Sequence, residues 1–230
     1  MRDTGNQMIA RLPVRDRKSL LSLCEPVELA LSDVLSEPGQ RARYVYFPNT
    51  GFVSLIAEIA KHPGLEVGMI GREGMLGAHV SLGIDIEPIR AIVQGVGVAW
   101  RVRAADFRNQ LAGSDALRRA MNRYLYAMFL VMANAAGCVR FHQLGPRLAR
   151  WFLMSQDRAR ADHFQVTHEF LAYMLGVRRV GVTDAAGELQ RRGLVTYHRG
   201  RVKVLDRVGL EAAACSCYAT DGQAFARWMG

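Results

Sequence analysis

Basic side chains are concentrated between residues 178 and 207, where eight arginines and lysines accompany three acids. Arginine guanidinium groups donate paired hydrogen bonds to phosphate oxygens, so this cluster suits a polyanionic partner such as duplex DNA. The alternative is a charged face that is only solvated. The eight cations are Arg178, Arg179, Arg191, Arg192, Arg199, Arg201, Lys203 and Arg207.

A helix, a glycine turn and a second helix are predicted over residues 167–189, and they would position the first of these cations. Thr167 can cap the first helix by accepting a backbone N–H, and the small Ala172 allows a close helix crossing. Gly176 supplies the positive φ of the turn, and Val182 faces inward. The spacing is typical of a helix-turn-helix DNA reader; the alternative is a buried helical hairpin.

A β-hairpin is predicted directly after the second helix. Arg191-Arg192-Gly193 ends that helix with cations at its negative pole and a glycine in the C-cap region. Residues 194–197 and 202–205 contain several β-branched side chains and flank a turn with Arg199 and Arg201. This hairpin would be the wing of a winged helix-turn-helix.

Composition and charge agree with a DNA-binding protein. The chain has 230 residues, a formal net charge of +9 and a pI near 9.9, and 50% of its residues are hydrophobic, enough for two modest domains. No apolar run approaches the roughly 20 residues that span a bilayer, and the polar start does not resemble a secretory signal. We therefore expect a cytoplasmic location and no membrane partner.

The four cysteines, Cys24, Cys138, Cys215 and Cys217, are expected to be reduced structural thiols. They are too few and too scattered for a disulfide framework or a zinc knuckle. Cys215 and Cys217 are two residues apart, so on a helix they would point to different faces and could not bind one metal together. The sequence therefore predicts no metal and no cofactor.

Candidates for acid–base or nucleophilic chemistry are weak. The six histidines show neither the spacing of metal ligands nor that of a nucleophile with its base. Glu66 and Glu73 have no partner that suggests proton transfer. We do not expect an enzyme.

Short extended runs with frequent glycines occupy residues 27–105 and predict a small antiparallel barrel or roll. Three glycines cluster at Gly71, Gly74 and Gly77. They could cradle a phosphate through backbone N–H groups, or they could mark tight turns.

A helical period begins near Ser114 and predicts one long helix. Its apolar stripe exceeds what a small roll could cover, so we expect part of it to pair with the same helix of a second chain. The alternative is a helix that packs only on its own roll. The residues predicted at the dimer interface are Leu117, Met121, Tyr124, Leu125, Met128, Met132 and Ala135.

These elements predict an α+β fold in three parts. Residues 1–112 would form an antiparallel β-roll of the double-stranded β-helix type with a sensor role, and residues 113–143 a long dimerisation helix. Gly145-Pro146 starts a new helix, because proline is tolerated in a first helical turn. Residues 144–230 would then form the winged helix-turn-helix domain.

In this combination of parts, residues 25–218 resemble the Crp/Fnr family of bacterial transcription regulators. The resemblance implies a homodimer that binds a pseudo-palindromic operator through paired recognition helices. In the roll it is less specific, and it depends there on Tyr46-Phe47-Pro48, Gly51 and residues 73–77. The C-terminal residues that carry it are Gly145-Pro146 to Leu153, Leu171-Ala172, Leu175-Gly176-Val177, Arg179, Val182, Leu189 and Gly193-Leu194.

The resemblance also implies a cyclic-nucleotide cassette, from which this sequence departs. Ala78 occupies the position of the family's glutamate, which holds the ribose. Ile89-Arg90 occupies the position of the arginine–serine pair that holds the phosphate, and Met132-Ala133 that of the polar pair that contacts the purine. A cyclic phosphate buried without its cation is disfavoured, so we expect either an effector other than cyclic AMP or none. The residues predicted around an effector pocket are Arg72, Glu73, Gly77, Arg90 and Met132.

The recognition helix departs from the best-known family pattern as well. Arg179 matches the first arginine of that pattern and could bind the O6 and N7 atoms of guanine. Val180 and Asp184 stand where a glutamate and a second arginine are expected, so a different operator is predicted. The candidate DNA-binding residues are Thr167, Arg178, Arg179, Val180, Thr183, Asp184, Arg199 and Arg201.

The sequence thus predicts a homodimeric, sequence-specific transcription regulator whose partners are double-stranded DNA, a second copy of the chain and RNA polymerase. The alternative is a ligand- or partner-binding module in which the winged domain mediates protein association. A steep loss of DNA affinity with increasing salt would distinguish the two.

Overall fold

The computed structural model describes residues 5–60, 64–161 and 163–229. The N-terminal segment is anchored by Asn6, whose side-chain oxygen accepts the N–H of Ile9 at 3.2 Å. Nδ2 of Asn6 donates to the main-chain oxygens of Pro48 and Gly74, both at 2.9 Å. These bonds hold the segment against the roll that follows. Its two short helices are α1 (Gln7–Ala10) and α2 (Val14–Ser22).

Antiparallel strands form the predicted roll as two facing sheets. The strands are β1 (Glu25–Leu29), β2 (Val34–Ser36), β3 (Tyr44–Pro48), β4 (Phe52–Ala57), β5 (Leu65–Ile70), β6 (Arg90–Gly95) and β7 (Gly97–Arg103). One sheet has the order β1-β7-β3 and the other β2-β6-β4-β5. Their inner faces bury Val45, Phe47, Leu55, Val93 and Val102, which make up much of the first hydrophobic core.

The predicted long helix is confirmed as α4 (Asp115–Phe141), which follows the shorter α3 (Ala104–Ala112). Ser114 begins it, because Oγ accepts the N–H of Leu117 at 3.1 Å and so satisfies one open donor of the first turn. With 27 residues at 1.5 Å rise, α4 is about 40 Å long. It joins the roll to the C-terminal part of the chain.

One face of α4 packs on the protomer's own roll, which corrects the predicted dimer interface. Leu117, Met121, Tyr124, Met128 and Ala135 are buried within a single protomer. Tyr124 Oη also donates to the main-chain oxygen of a roll residue, Met75, at 2.9 Å. The prediction is wrong for these five residues, because their surface is already covered before a second chain arrives. Of the other two, Leu125 is half-buried and Met132 is exposed.

By length and composition alone, α4 is also apolar enough to cross a membrane, although no membrane-spanning segment is predicted above. A third of its most apolar window is buried inside the protomer. One helix of this kind is weak evidence for a span, because a core helix meets the same criteria.

The C-terminal part contains the predicted helix-turn-helix and wing around a second core. Leu148, Phe152, Leu171, Val182 and Val202 are completely buried there. A three-stranded sheet of order β8-β10-β9 closes the core on one side. The elements are α5 (Leu144–Ala159), β8 (His163–Gln165), α6 (His168–Leu175), α7 (Arg179–Arg191), β9 (Val195–His198), β10 (Arg201–Val204) and α8 (Arg207–Ala213).

The last helix, α9 (Cys217–Met229), leaves the winged region and packs along α4. The rings of Trp228 and Tyr126 of α4 meet edge to face with centroids 4.9 Å apart. Met229 belongs to the core of the roll rather than to that of the winged domain. The predicted segment 144–230 is therefore not packed as one unit.

Candidate DNA-binding surface and roll cavity

The turn between α6 and α7 has the predicted geometry. Thr167 caps α6, because Oγ1 accepts the N–H of Phe170 at 3.1 Å. Gly176 ends the helix with φ 64°, in the left-handed region that favours glycine, and the next N–H, of Val177, donates to the oxygen of Ala172 at 3.0 Å. These bonds fix the direction in which α7 leaves the turn.

The helix α7 has one buried and one exposed face. Val182, Ala186 and Leu189 pack into the core of the winged domain, as predicted for Val182. Val180 is 64% exposed although it is apolar, so a contact outside the protomer would remove it from water. The exposed face carries Arg178 at the N-cap position, Arg179, Val180, Thr183 and Asp184.

Thr183 ties α7 to α6. Its hydroxyl donates to the main-chain oxygen of Arg179 at 3.1 Å, and its Oγ1 lies 3.0 Å from Nδ1 of His168. Partial burial and the positive charge of Arg179 lower the pKa of His168, so this imidazole is neutral near pH 7. Thr183 therefore stabilises the arrangement of the two helices besides lying on the exposed face.

The wing is the hairpin of β9 and β10. Arg199 and Gly200 have φ of 48° and 79°, as a two-residue turn of type I′ requires. Behind the turn, Tyr197 Oη donates to the main-chain oxygen of Val166 at 2.6 Å and fixes the wing to the domain. Arg199 and Arg201 are exposed at its tip.

Four arginines define what we call the recognition surface: Arg178, Arg179, Arg199 and Arg201. All four are exposed, and within residues 5–60, 64–161 and 163–229 none of them forms an ion pair. Two of the other cations nearby are neutralised, since Arg191 pairs with Glu188 at 2.7 Å and Arg207 with Asp157 at 2.7 Å. The start of α7 and the wing tip thus each carry two arginines with uncompensated positive charge.

A cavity of about 260 Å³ lies between the roll and α4, and we call it the roll cavity. Its walls are mainly apolar, and of the predicted pocket residues it includes Gly77 and Met132. Ala78 and Ile89, which replace the polar residues of the nucleotide cassette, line it too. The departures noted in the sequence therefore fall at the cavity wall.

The other three predicted pocket residues, Arg72, Glu73 and Arg90, do not line the roll cavity. Glu73 bonds Arg158 of α5 at 2.8 Å, and Arg72 lies beside it in a cleft between the roll, α5 and α9. Arg90 has both Glu37 and Glu58 at 3.3 Å. Glu73 and Arg90 therefore form ion pairs within the protein, and neither lines the roll cavity.

Two titratable side chains do face the roll cavity. His79 Nε2 and Glu87 Oε2 lie 3.8 Å apart. Burial raises the pKa of Glu87 to about 7 and lowers the pKa of His79. Near pH 7 the Glu87 carboxyl group is therefore only partly ionised and the His79 imidazole is neutral. Neither side chain gives the cavity a cation that could bind an anionic ligand.

The cysteines contradict the prediction of scattered thiols. Cys138, Cys215 and Cys217 are buried together, and His142 lies beside them. Cys215 lies in the loop before α9 rather than on a helix, so the argument from helical faces does not apply to it. The local signals were the four-residue spacing of Cys138 and His142 at the end of α4 and the Cys-Ser-Cys motif, but the sequence separation of 77 residues between Cys138 and Cys215 concealed their proximity.

Comparison with known proteins agrees with this arrangement. Residues 146–213 match the Crp-like helix-turn-helix domain. A solved structure assigned to the Crp/Fnr family, from Eubacterium rectale, has a TM-score of 0.70 and 16% identity and covers 92% of this chain and 99% of its own. No curated protein matches the chain significantly in sequence.

Two further solved structures have the same fold. A CRP-family transcriptional regulator of Thermus thermophilus has a TM-score of 0.68 and 22% identity, over 82% of this chain and 96% of its own. The c-di-GMP-responsive global regulator CLP of Xanthomonas campestris has a TM-score of 0.66 and 19% identity, over 84% and 99%. The chain therefore carries a Crp-like helix-turn-helix domain and has the fold of the Crp/Fnr transcriptional regulators.

Proposed function

We propose that the protein is a homodimeric transcription regulator that binds a pseudo-palindromic operator through two copies of α7. The observation that carries this proposal is the recognition surface, whose arginines are exposed and have no acidic partner among the described residues. Phosphates of duplex DNA would supply the missing negative charge, and α7 would lie in the major groove.

The residues of α7 have different roles in this proposal. Arg179 donates two hydrogen bonds to a guanine, and Val180 contacts a thymine methyl group. Asp184 accepts from an exposed base amino group or pairs with a neighbouring arginine, because phosphates would repel it. Thr167, Arg178, Thr183 and the wing arginines contact the backbone near these bases.

An exposed apolar stripe on α4 supports the homodimer and replaces the predicted interface. Phe129, Met132, Ala136 and Val139 follow one another at intervals of three and four residues, and all are exposed in the protomer. Phe129 alone is 67% exposed. This spacing is that of the a and d positions of a coiled coil, and a second copy of α4 offers the same stripe in return. Half-buried Leu125 extends it toward the roll.

The roll cavity supports a sensor that does not respond to cyclic AMP. Its apolar wall suits a small apolar effector better than a cyclic phosphate, and an empty apolar core is the alternative. Phe129 and Met132 line the cavity and also belong to the apolar stripe, so an occupant would contact the paired helices.

We retain residues 1–112 as sensor roll, 113–143 as dimerisation helix and 144–230 as DNA-binding part, with α9 returning to α4. A regulator of this design acts in the cytoplasm, with RNA polymerase as its further partner.

Selection of binding sites from a random duplex library, at two salt concentrations, tests the proposal. We expect an inverted repeat with half-sites about 10 base pairs apart and a steep loss of affinity at the higher salt. Phe129→Glu, which places charge in the stripe, should lose both the inverted repeat and the dimer in light scattering. Phe141→Glu, at the exposed end of the same helix outside the stripe, is the control. Enrichment of no sequence by the wild-type protein would favour the interaction module instead.

A further inference from the structure

The end of α4 and the loop before α9 bring together three thiols and an imidazole, which we call the thiol cluster: Cys138, His142, Cys215 and Cys217. Their ligand atoms all lie within 4.8 Å of one another. The Sγ atoms of Cys138 and Cys215 are 3.6 Å apart, and Cys217 Sγ is 3.5 Å from Nδ1 of His142. All three cysteines are buried.

The backbone explains why four residues from distant parts of the chain converge. Cys138 lies in the last turn of α4, and His142 is its C-cap residue, whose N–H donates to the main-chain oxygen of Cys138 at 3.1 Å and so holds it beside Cys138. The N–H of Cys215 donates to the oxygen of Pro146 at 3.2 Å, which fixes the loop against α5. Cys217 is the first residue of α9, so its side chain can face the same point as that of Cys215.

The two shortest distances, 3.6 Å between Cys138 Sγ and Cys215 Sγ and 3.5 Å between Cys217 Sγ and His142 Nδ1, are close to the edges of a tetrahedron around one small ion. With zinc bonds of about 2.3 Å to sulfur and 2.0–2.1 Å to nitrogen, tetrahedral geometry places two sulfurs about 3.8 Å apart and sulfur and nitrogen about 3.6 Å apart. An iron–sulfur cluster would need wider spacing between several of its ligands, because its four protein ligands are distributed over two or four iron atoms. The donor set of three thiolates and one imidazole is also a common structural zinc set.

The surroundings suit a site that carries negative charge. Three thiolates and one divalent cation leave one net negative charge, and Nη1 of Arg150 lies 3.8 Å from Cys138 Sγ. Arg150 is itself held by Asp221 at 2.5 Å, and Asn134 donates to the same carboxylate at 2.8 Å. Such an outer layer of hydrogen bonds orients metal ligands.

We propose that Cys138, His142, Cys215 and Cys217 bind one zinc-type divalent cation in tetrahedral coordination. The ion fastens α9 and the loop beside α5 to the end of the long helix. Nearby, Arg147 of α5 is buried and donates to the oxygen of Leu175 at 2.6 Å, at the end of α6. The site thus lies where the long helix meets the helix-turn-helix, and the ion stabilises that junction.

Metal analysis of the full chain, purified under reducing conditions without chelator, is the first test. We expect about one zinc ion per chain. Reconstitution with cobalt(II) should give the strong visible bands of a tetrahedral site and a thiolate-to-cobalt charge-transfer band, both displaced by zinc. Wild-type protein that binds neither ion, or that shows the absorbance of an iron–sulfur cluster, would overturn the proposal. A Cys138–Cys215 disulfide that persists under these reducing conditions in metal-free protein would overturn it as well.

Variants assign the ligands. Cys217→Ser should retain roughly a tenth or less of the metal, whereas Cys24→Ser, which lies outside the cluster, should retain all of it. His142→Cys keeps four ligands, so it should hold the ion and strengthen the charge-transfer band. Equal metal loss in Cys24→Ser and Cys217→Ser would contradict the assignment. If Cys217→Ser does not fold, the His142→Cys spectrum together with the wild-type cobalt titration decides the question.

Discussion

The winged domain and the roll use their arginines in opposite ways. On the recognition surface, the arginines are exposed and have no acidic partner within the described part of the chain. On the roll, Arg90 has two glutamates at 3.3 Å, and Arg41 and Arg101 have acidic partners at 2.8 and 2.7 Å. The recognition surface thus offers unpaired positive charge to a polyanion, whereas the charges of these three roll arginines are neutralised.

This difference shows that a domain can keep its fold while the charges at its binding surface change. The winged domain keeps both the helix geometry and the cations of a DNA reader. The roll keeps the strand arrangement of a nucleotide-binding sensor, but Ala78 and Ile89 make its cavity wall apolar. An anion bound there would lose its hydration without gaining a cation, which costs several kcal/mol as an order of magnitude. The proposed DNA binding by the winged domain and the proposed sensing by the roll therefore need separate tests.

The largest expected effect concerns the recognition surface. Arg179→Ala should weaken binding to the selected operator by about 1–3 kcal/mol, because the bidentate contact to guanine is lost. Competition titrations against specific and random duplexes measure it. Arg43→Ala removes the same charge from an exposed position of the roll and should change the specific affinity little. Equal effects of the two variants would mean that Arg179 contributes only net charge.

A smaller effect is expected from the carboxyl group in the roll cavity. Glu87 has a pKa raised from 4.5 to about 7 by burial, so the folded protein holds this proton more tightly than the unfolded chain. Its contribution to stability is complete below pH 4.5 and is lost as pH rises to 7. Glu87→Gln removes this loss and should raise stability at pH 8 by about 1–2 kcal/mol, a range reduced for solvent screening.

Urea unfolding of the wild type and the Glu87→Gln variant at pH 5 and pH 8 measures this difference. Glu28→Gln changes an exposed carboxyl group of β1 and serves as the matched control. Parallel pH profiles for the wild type and Glu87→Gln would show that Glu87 is charged in the folded protein at neutral pH. The cavity would then be polar, and the contrast with the winged domain would be weaker.

Local signals in the sequence predict the winged domain well. Thr167 as a cap and Gly176 as a left-handed turn depend on neighbours within a few residues, and the structure confirms both. The packing of α4 is harder to predict, because the helix is apolar on two sides. Periodicity alone does not show which of the two sides packs on the roll. Phe129 lies on the exposed side and was absent from the predicted interface.

Contacts between distant residues account for the other differences. Arg90 is predicted from the sequence to lie at an effector pocket, yet Glu58, 32 residues away, pairs with it in the fold. Cys138 and Cys215 are 77 residues apart, and only the return of α9 to α4 brings them together. Neither contact can be predicted from the spacing of neighbouring residues.

The smallest effect, close to zero, is expected from cyclic AMP. A ligand raises the melting temperature only if it binds the folded state, by RT ln(1 + [L]/Kd). With Arg90 paired to Glu37 and Glu58 and Ile89 at the cavity wall, the cyclic phosphate has no cation to meet. Millimolar cyclic AMP should leave the melting temperature unchanged in thermal denaturation. A rise of several degrees in the melting temperature would show that the roll binds an anion despite its apolar wall. The two domains would then differ in which anion they bind, and not in whether they can bind one.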